Sequence, residues 1–300
     1  MKTLIFKLFL ILSIFFIVTG CHKENTENNV SVISGINYYK QEDYKKALPL
    51  LEEAAKDGNI EATLYLGDMY QYGKGVERDF ETSFNWYLKA AEKGDKEASG
   101  MVGASYYLGR GVSQDYKESL KWLLKSAEKI DIKNPSPRDK KLLTLIMNMY
   151  MRGKGTLQDF SEAARWAEKA AVMGDANSQA IMAFLLYTGQ GVLADRKTAR
   201  IWAEKSAAQG NDMGEVLMGV FNQYADSPDM KAAFDWYGKS AKQGNPAAQY
   251  QLGTFYEEGI IVAQDMEKAH SFYKQAADSK KSDNLIRALM EFEARQKKKK

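Results

Sequence analysis

Cys21 is the only cysteine of the 300-residue chain, and its thiol is the one strong nucleophile that the sequence offers. A single cysteine cannot form an internal disulfide, so covalent modification is the chemistry open to it. Its surroundings favour that: Lys2 and Lys7 are basic, Leu8 to Val18 is largely apolar, and Thr19-Gly20 places small residues directly before the thiol. This is the order of a secretory signal with its cleavage site. A run of eleven residues falls short of the roughly 20 that a membrane-spanning helix needs.

The remaining polar chemistry is sparse. His22 and His270 are the two histidines, and neither has the partners that a histidine-activated nucleophile or a zinc cluster requires. Turns such as Gly73-Lys74-Gly75-Val76 are glycine-rich, yet each follows a helical pattern rather than a strand, and none ends in the Gly-Lys-Ser/Thr of a phosphate loop. Glu257-Glu258 is a carboxylate pair on a helical surface rich in Glu and Lys, which is ordinarily solvated. The formal charge falls from +3 to +1 without Lys2 and Lys7, and to −3 without Lys297 to Lys300. So balanced a body lacks the basic face that nucleic acid demands. The expectation is no catalytic site, no metal and no cofactor.

What positions these residues is an internal repeat. Trp86, Trp122, Trp166, Trp202 and Trp236 follow one another at 36, 44, 36 and 34 residues, and Phe272 comes 36 later. An aspartate stands seven residues ahead of each aromatic, at Asp79, Asp115, Asp159, Asp195, Asp229 and Asp265. Small pairs follow, from Ala90-Ala91 to Ala276-Ala277. Such periods mean stacked supersecondary units.

In residues 61–94, Ala62, Leu66, Met69 and Tyr70 mark one amphipathic helix, helix A, which the glycine turn stops. Asp79 is placed to cap a second, helix B, carrying Phe84, Tyr87, Leu88 and Ala91. Equivalent turns recur at Gly109, Gly153 and Gly189. A helical hairpin cannot bury its apolar stripe alone, so the hairpins must stack into an all-α solenoid. Gly67, Gly103, Gly219 and Gly253 in helix A permit close backbone approach; Met147 and Ala183 interrupt that series and predict looser packing in the third unit. The 44-residue step holds an eight-residue insertion, Ile130 to Pro137, whose prolines predict a loop. The 34-residue step replaces the glycine turn with Ala225-Asp226-Ser227-Pro228, a shorter and stiffer connection.

The expected organisation is a signal peptide over residues 1–20, a polar tether over 21–29, a capping repeat over 30–60, six repeats over 61–280, and a capping helix with a lysine tail over 281–300. Leu285, Leu289 and Phe292 share one face of that last helix.

Two resemblances add to this. Val18-Thr19-Gly20-Cys21 resembles the lipobox of bacterial lipoproteins, with Val18 in place of the commoner leucine. That implies diacylation of Cys21, membrane attachment through acyl chains, and, with His22 following, an outer-membrane position facing the periplasm. Leu66-Gly67, Tyr70, Gly73-Lys74-Gly75-Val76, Asp79, Trp86-Tyr87, Lys89-Ala90-Ala91 and Gly94 resemble the Sel-1-like repeat family, relatives of the tetratricopeptide repeat. This resemblance implies a right-handed superhelix that binds a protein or peptide along its concave, helix A surface. Exported bacterial members include immunity proteins against phospholipase effectors of type VI secretion and adaptors of the envelope. The disulfide-stapled, cysteine-rich relatives are not matched, because this chain has no cysteine pairs.

Projecting helix A at 100° per residue, opposite Leu66 and Tyr70, selects Leu64, Tyr65, Asp68, Met101, Tyr107, Asn148, Met151, Phe184, Tyr187, Val220, Tyr224 and Tyr250 as the candidate partner-binding groove. The set is unusually aromatic for a solvated face. The expectation is a lipid-anchored, non-enzymatic interaction protein, whose partner in its most specific version is a secreted phospholipase effector. The alternatives are an envelope scaffold and, more remotely, a hydrolase-like enzyme. The tryptophans, at equivalent helix B positions, are expected to pack between helices.

Overall fold

Each hairpin is built from local signals that agree. In the computed structural model, which describes residues 31–280 and 282–298, Asp79 accepts from the backbone N–H of Glu81 and Thr82 at 2.9 and 3.1 Å, and so starts a helix. The hydroxyl and backbone of Thr82 hold the Asp79 carboxyl below the ordinary aspartate range. That contribution to stability is present above the usual aspartate pKa and is lost as pH falls through the lowered one. Asp195 is held down in the same way by Thr198.

The chain forms two compact units by contact, one ending at Ile130 and one beginning at Asp131. The first holds α1 (residues 31–40), α2 (Tyr44–Lys56), α3 (Ile60–Tyr72), α4 (Phe80–Glu92), α5 (Lys96–Leu108) and α6 (Tyr116–Ala127). The second holds α7 (Pro137–Arg152), α8 (Phe160–Val172), α9 (Ala176–Thr188), α10 (Arg196–Ala208), α11 (Asp212–Gln223), α12 (Met230–Lys242), α13 (Pro246–Glu258), α14 (Met266–Lys280) and α15 (Asp283–Lys298). No strand occurs among the described residues. The signal segment, Cys21 and the polar tether lie outside those residues.

Helix A of each repeat is odd-numbered from α3 to α13, and its helix B partner follows it. The turn between them uses its two glycines differently. Gly109, in the left-handed region at φ 67°, ends α5 by donating its N–H to Ser105 O. Gly111 instead presses on the start of the preceding helix B, where an added Cβ would stand 2.0 Å from Phe80 O. Ile261 occupies the corresponding place in the last hairpin, at φ 59°, a strained conformation for a β-branched residue.

Inside a hairpin, the residue after the tryptophan fills the space over the helix A glycine. An added Cβ on Gly67 would meet the Tyr87 ring at 2.6 Å, on Gly103 the Leu123 side chain at 2.7 Å, and on Gly219 the Tyr237 ring at 2.4 Å. Met147 breaks the glycine series of helix A in the third unit. Its opposite number is Ala167 rather than a tyrosine, and both are 0% exposed. The large and small members have changed helices, so the volume is conserved. The insertion is also shorter than expected: Pro137 is the first residue of α7, inside a capping box made by Ser136 and Asp139. A proline tolerates that position because its missing N–H would be unpaired there anyway.

Between hairpins the aromatic of helix B reaches back. Trp86 packs on the cluster of Leu51 and Leu66, Trp122 on that of Phe84 and Val102, Trp236 on that of Leu217 and Phe221, and Phe272 on that of Tyr237 and Phe255. The outer side of each indole is covered by the lysine three residues on. Lys89, Lys125, Lys169, Lys205 and Lys239 place their ammonium groups 4.0, 4.4, 4.1, 4.5 and 3.9 Å from the rings of Trp86, Trp122, Trp166, Trp202 and Trp236. This ladder went unnoticed in the sequence, although a lysine three residues after each tryptophan is plain there. A second periodic link joins helix ends: Lys93 Nζ donates to Gly58 O at 2.8 Å, Lys129 Nζ to Gly94 O, and Gln243 Nε2 to Gly210 O at 3.1 Å. Each satisfies a carbonyl at the end of the preceding helix B.

The compensated pair in the third unit gives a double-mutant test. Met147→Gly should cost about 2–5 kcal/mol through the cavity, and Ala167→Tyr about 1–3 kcal/mol through overpacking. The double variant, which restores the Gly67–Tyr87 arrangement, should lose clearly less than the two together in urea denaturation. Strict additivity would show that the residues do not share a space.

The tryptophan ladder gives a second test. Trp166→Ala should cost about 3–5 kcal/mol, and Lys169→Met less than about 1 kcal/mol. Trp166→Phe should be milder than Trp166→Ala, since the buried Trp166 Nε1 has no hydrogen-bond acceptor to lose. Melting temperatures that rank lysine above tryptophan would overturn the assignment of packing to the ring and cover to the ammonium.

Candidate interaction surface

The twelve residues selected on helix A lie on α3, α5, α7, α9, α11 and α13, with Tyr224 just past the end of α11, and none is fully buried. Their surroundings divide them. In the first unit, Tyr65 meets Tyr39 edge-on, with ring centroids 4.7 Å apart. Asp68 accepts the Tyr87 hydroxyl at 2.6 Å, and Leu64 and Met101 rest on the cluster of Phe84 and Val102. Tyr107 stands edge-on to Tyr116 at 5.3 Å.

In the second unit, Asn148 turns its amide back to Thr144 O at 2.9 Å, and the Met151 carbonyl accepts from Gln158 at 2.7 Å. Phe184 and Tyr187 both pack on the cluster of Leu217 and Phe221; Tyr187 lies edge-on to Phe221 at 5.3 Å, with the Arg196 guanidinium 5.3 Å over its ring. Val220 supports the cluster of Tyr237 and Phe255, and Tyr250 tilts against Tyr273 at 5.4 Å. Tyr224, at 59% exposure, is the most open member, because the shortened Ala225 to Pro228 connection leaves it beyond the helix end. The structure thus brings together Leu64 with Met101, and Phe184 with Tyr187. The remaining residues pack each on its own neighbours, Tyr65 on Tyr39 of α1 for example, while keeping part of their surface accessible.

Two polar arrangements were not anticipated. Lys74, in the first glycine turn, donates to the Tyr39 hydroxyl at 2.9 Å and lies 4.7, 5.7 and 6.0 Å from the rings of Tyr39, Tyr44 and Tyr72. The Tyr39 hydroxyl raises the pKa of that ammonium. Burial, in turn, pushes the Tyr39 phenol above its ordinary value. The clue was the density of tyrosine between Tyr38 and Tyr72, legible only once α1 to α3 are packed together.

The second is the C-terminal clamp. Glu257 accepts from Arg295 Nε and Nη2 at 3.0–3.1 Å and from the Tyr273 hydroxyl at 2.9 Å. It ties α13 to α15 and is a structural carboxylate. Burial raises the pKa of Tyr273, and its bond to Glu257 adds to the rise. His270 faces Glu293 at 2.9 Å and stacks on Phe292, which is 2% exposed. The histidine is therefore spent on docking α15. Among the described residues no group of His, Cys, Asp or Glu has the arrangement of a metal site, and no helix is long and apolar enough to cross a membrane.

Seven stretches match the Sel1 repeat model, at residues 34–59, 60–95, 97–131, 148–175, 176–211, 214–245 and 246–280. The first of them takes in the segment expected to act as the N-terminal cap. Among solved structures, a protective antigen present in uropathogenic Escherichia coli strains is 31% identical, with TM-score 0.70, over 86% of this chain and 55% of that one. A Sel1 repeat protein from Oxalobacter formigenes is 28% identical, with TM-score 0.59, over 88% of this chain and 75% of that one. A stretch of 59 residues is 36% identical to an ERAD-associated E3 ubiquitin-protein ligase component of Candida glabrata, covering 20% of this chain and 7% of that protein. The chain thus spans 55% of the E. coli antigen's length and a small part of the fungal protein's. With matches running from residue 34 to residue 280, this chain belongs to the Sel1 repeat family and is an all-α repeat solenoid.

Proposed function

We propose that this Sel1 repeat protein is a non-enzymatic, lipid-anchored component of a bacterial envelope that holds a protein or peptide partner on its helix A surface. The observation that carries the proposal is the half-exposed aromatic side chains on helices A of each unit: Tyr65 and Tyr107 in the first, and Phe184, Tyr187 and Tyr250 in the second. Aromatic rings give large contact area at low entropic cost, and these are already held in place by neighbouring rings. The order Val18-Thr19-Gly20-Cys21 after an apolar run supports the anchor. Acyl chains at about 0.8 kcal/mol per buried methylene would retain the protein with no spanning helix. The more specific version is neutralisation of a secreted phospholipase effector held on that surface.

Replacing Tyr107, Phe184 and Tyr187 together by alanine should reduce partner capture from native envelope by at least about tenfold, which is about 1.4 kcal/mol, with helicity unchanged by circular dichroism. Co-expression with a phospholipase effector encoded beside the gene tests the specific version by cell survival. Capture equal to the parent's by the triple variant would remove the helix A aromatics from recognition.

The anchor is separately testable. Cys21→Ser should release the protein from membranes and abolish globomycin-sensitive processing, while leaving the thermal melt of the repeat region unchanged. Continued membrane association of the serine variant after a high-salt wash would exclude acylation as the anchor.

A further inference from the structure

Helix B of the fifth hairpin departs from its counterparts at two positions. The second residue after the aromatic is Leu88, Leu124, Glu168, Glu204 and Lys274 in the other repeats, but Gly238 here. The sixth is Glu92, Glu128, Val172, Ala208 and Asp278 elsewhere, but Lys242 here. An interior helical glycine is conformationally costly. At Gly67 or Gly219 a neighbouring ring requires it, whereas an added Cβ on Gly238 would meet nothing within 4 Å. Packing therefore gives no reason for this glycine.

What the missing side chain leaves is an open cleft of about 630 Å³ beside α12, α13 and α14, bordered by Gly238 itself. Its apolar part is aromatic: Tyr256 and Phe272 stack at 5.7 Å with their planes 9° apart, and Phe234 meets Tyr256 edge-on at 5.9 Å. All three are half-buried. Its charged rim is biased to one sign. Lys242 and Lys239, the latter with its ammonium also 3.9 Å over the Trp236 ring, stand on it, while the carboxylate of Asp235, also on the rim, is 3.6 Å from Lys231 Nζ and so offset. The cleft is open to solvent along its side, so it suits an extended chain rather than an enclosed small molecule.

We propose that this cleft is a second binding site, for an acidic peptide segment that inserts an aromatic or long aliphatic side chain over Tyr256 and Phe272 and sets its carboxylates against Lys239 and Lys242. The site uses two helices B, α12 and α14, together with Leu252 and Tyr256 of α13, and none of the twelve candidate groove residues. Apolar insertion supplies the anchor, and the two lysines select the charge of what flanks it.

The probe is a fluorescein-labelled peptide, Gly-Asp-Glu-Phe-Leu-Asp-Glu-Gly, titrated with the full-length chain by fluorescence polarisation. Binding should be saturable and should weaken as salt rises. Gly238→Leu should weaken it by at least about tenfold by filling the cleft. Gly238→Ala should retain binding and raise the melting temperature, since alanine is the better helix former and has room. Lys242→Glu should also weaken binding, with an unchanged melt. The triple variant at Tyr107, Phe184 and Tyr187 should bind the probe as the parent does, which separates this site from the helix A surface. The proposal is overturned if the probe shows no saturable binding, if a version with lysines in place of its acids binds equally well, or if Gly238→Leu leaves binding unchanged. It is also overturned, in favour of a lipid-derived ligand, if dodecanoate binds the cleft and the peptide does not.

Discussion

Close approach of helix A to helix B within each hairpin is the constraint on which the rest of the solenoid depends. At Gly67, Gly219 and Gly253, the ring of Tyr87, Tyr237 or Tyr273 lies where a Cβ would otherwise be. An interior helical glycine costs about 0.5–1 kcal/mol. A buried aromatic removes roughly 150–250 Å² from water, which at about 25 cal/mol/Å² returns several times that cost. The arrangement also leaves the phenol group at the far side of helix A, where Asp68, Gln223 and Glu257 accept from it. Each of these tyrosines is thus both the packing element and the polar latch of its hairpin. The Met147–Ala167 pair shows that the larger side chain at this crossing can come from either helix.

Stacking follows from what the hairpin leaves uncovered. Its core is small, so each tryptophan must reach the preceding repeat's cluster, and the lysine three residues on shields the ring from water while keeping its own charge solvated. Side chains at the end of one helix B satisfy the carbonyls that end the previous one. Buried hydroxyls add to the hairpin itself: Ser83 and Ser119 donate to Gly67 O and Gly103 O at 2.8 Å. These contacts are short-range in sequence, which is why a period of about 36 residues can repeat with little long-range information.

The proposed recognition surface draws on residues that the same packing already holds. The helix A aromatics are neither free rungs nor core: Tyr65, Tyr187 and Tyr250 each lean on a neighbouring ring and keep part of their surface open. Such pre-placement lowers the entropy lost on binding. The chain end is closed differently. The Glu257–Arg295 pair and the His270–Glu293 pair bring α15 down so that its Phe292 packs on His270 and Tyr273 of α14, and the groups most like catalytic acids and bases are engaged in termination.

The repeat period, the hairpin order, the aspartate caps, the all-α class and the family were legible from the sequence, because the caps and helix faces rest on residues within one or two helical turns of one another and the same pattern returns at intervals of 34 to 44 residues. The tryptophans declared themselves as packing residues for the same reason. What needed three dimensions was how one helix meets another: the exchange of large and small between Met147 and Ala167, the reach of Gly111 to Phe80, and the gathering of Lys74 among three tyrosines. Helical projection assigns a face, but whether a residue such as Asp68 is open or bonded depends on the ring that the next helix brings to it. The open space at Gly238 is the sharpest case. One letter marks a glycine, and only the absence of neighbours within 4 Å distinguishes a glycine that packing requires from one that leaves a cleft.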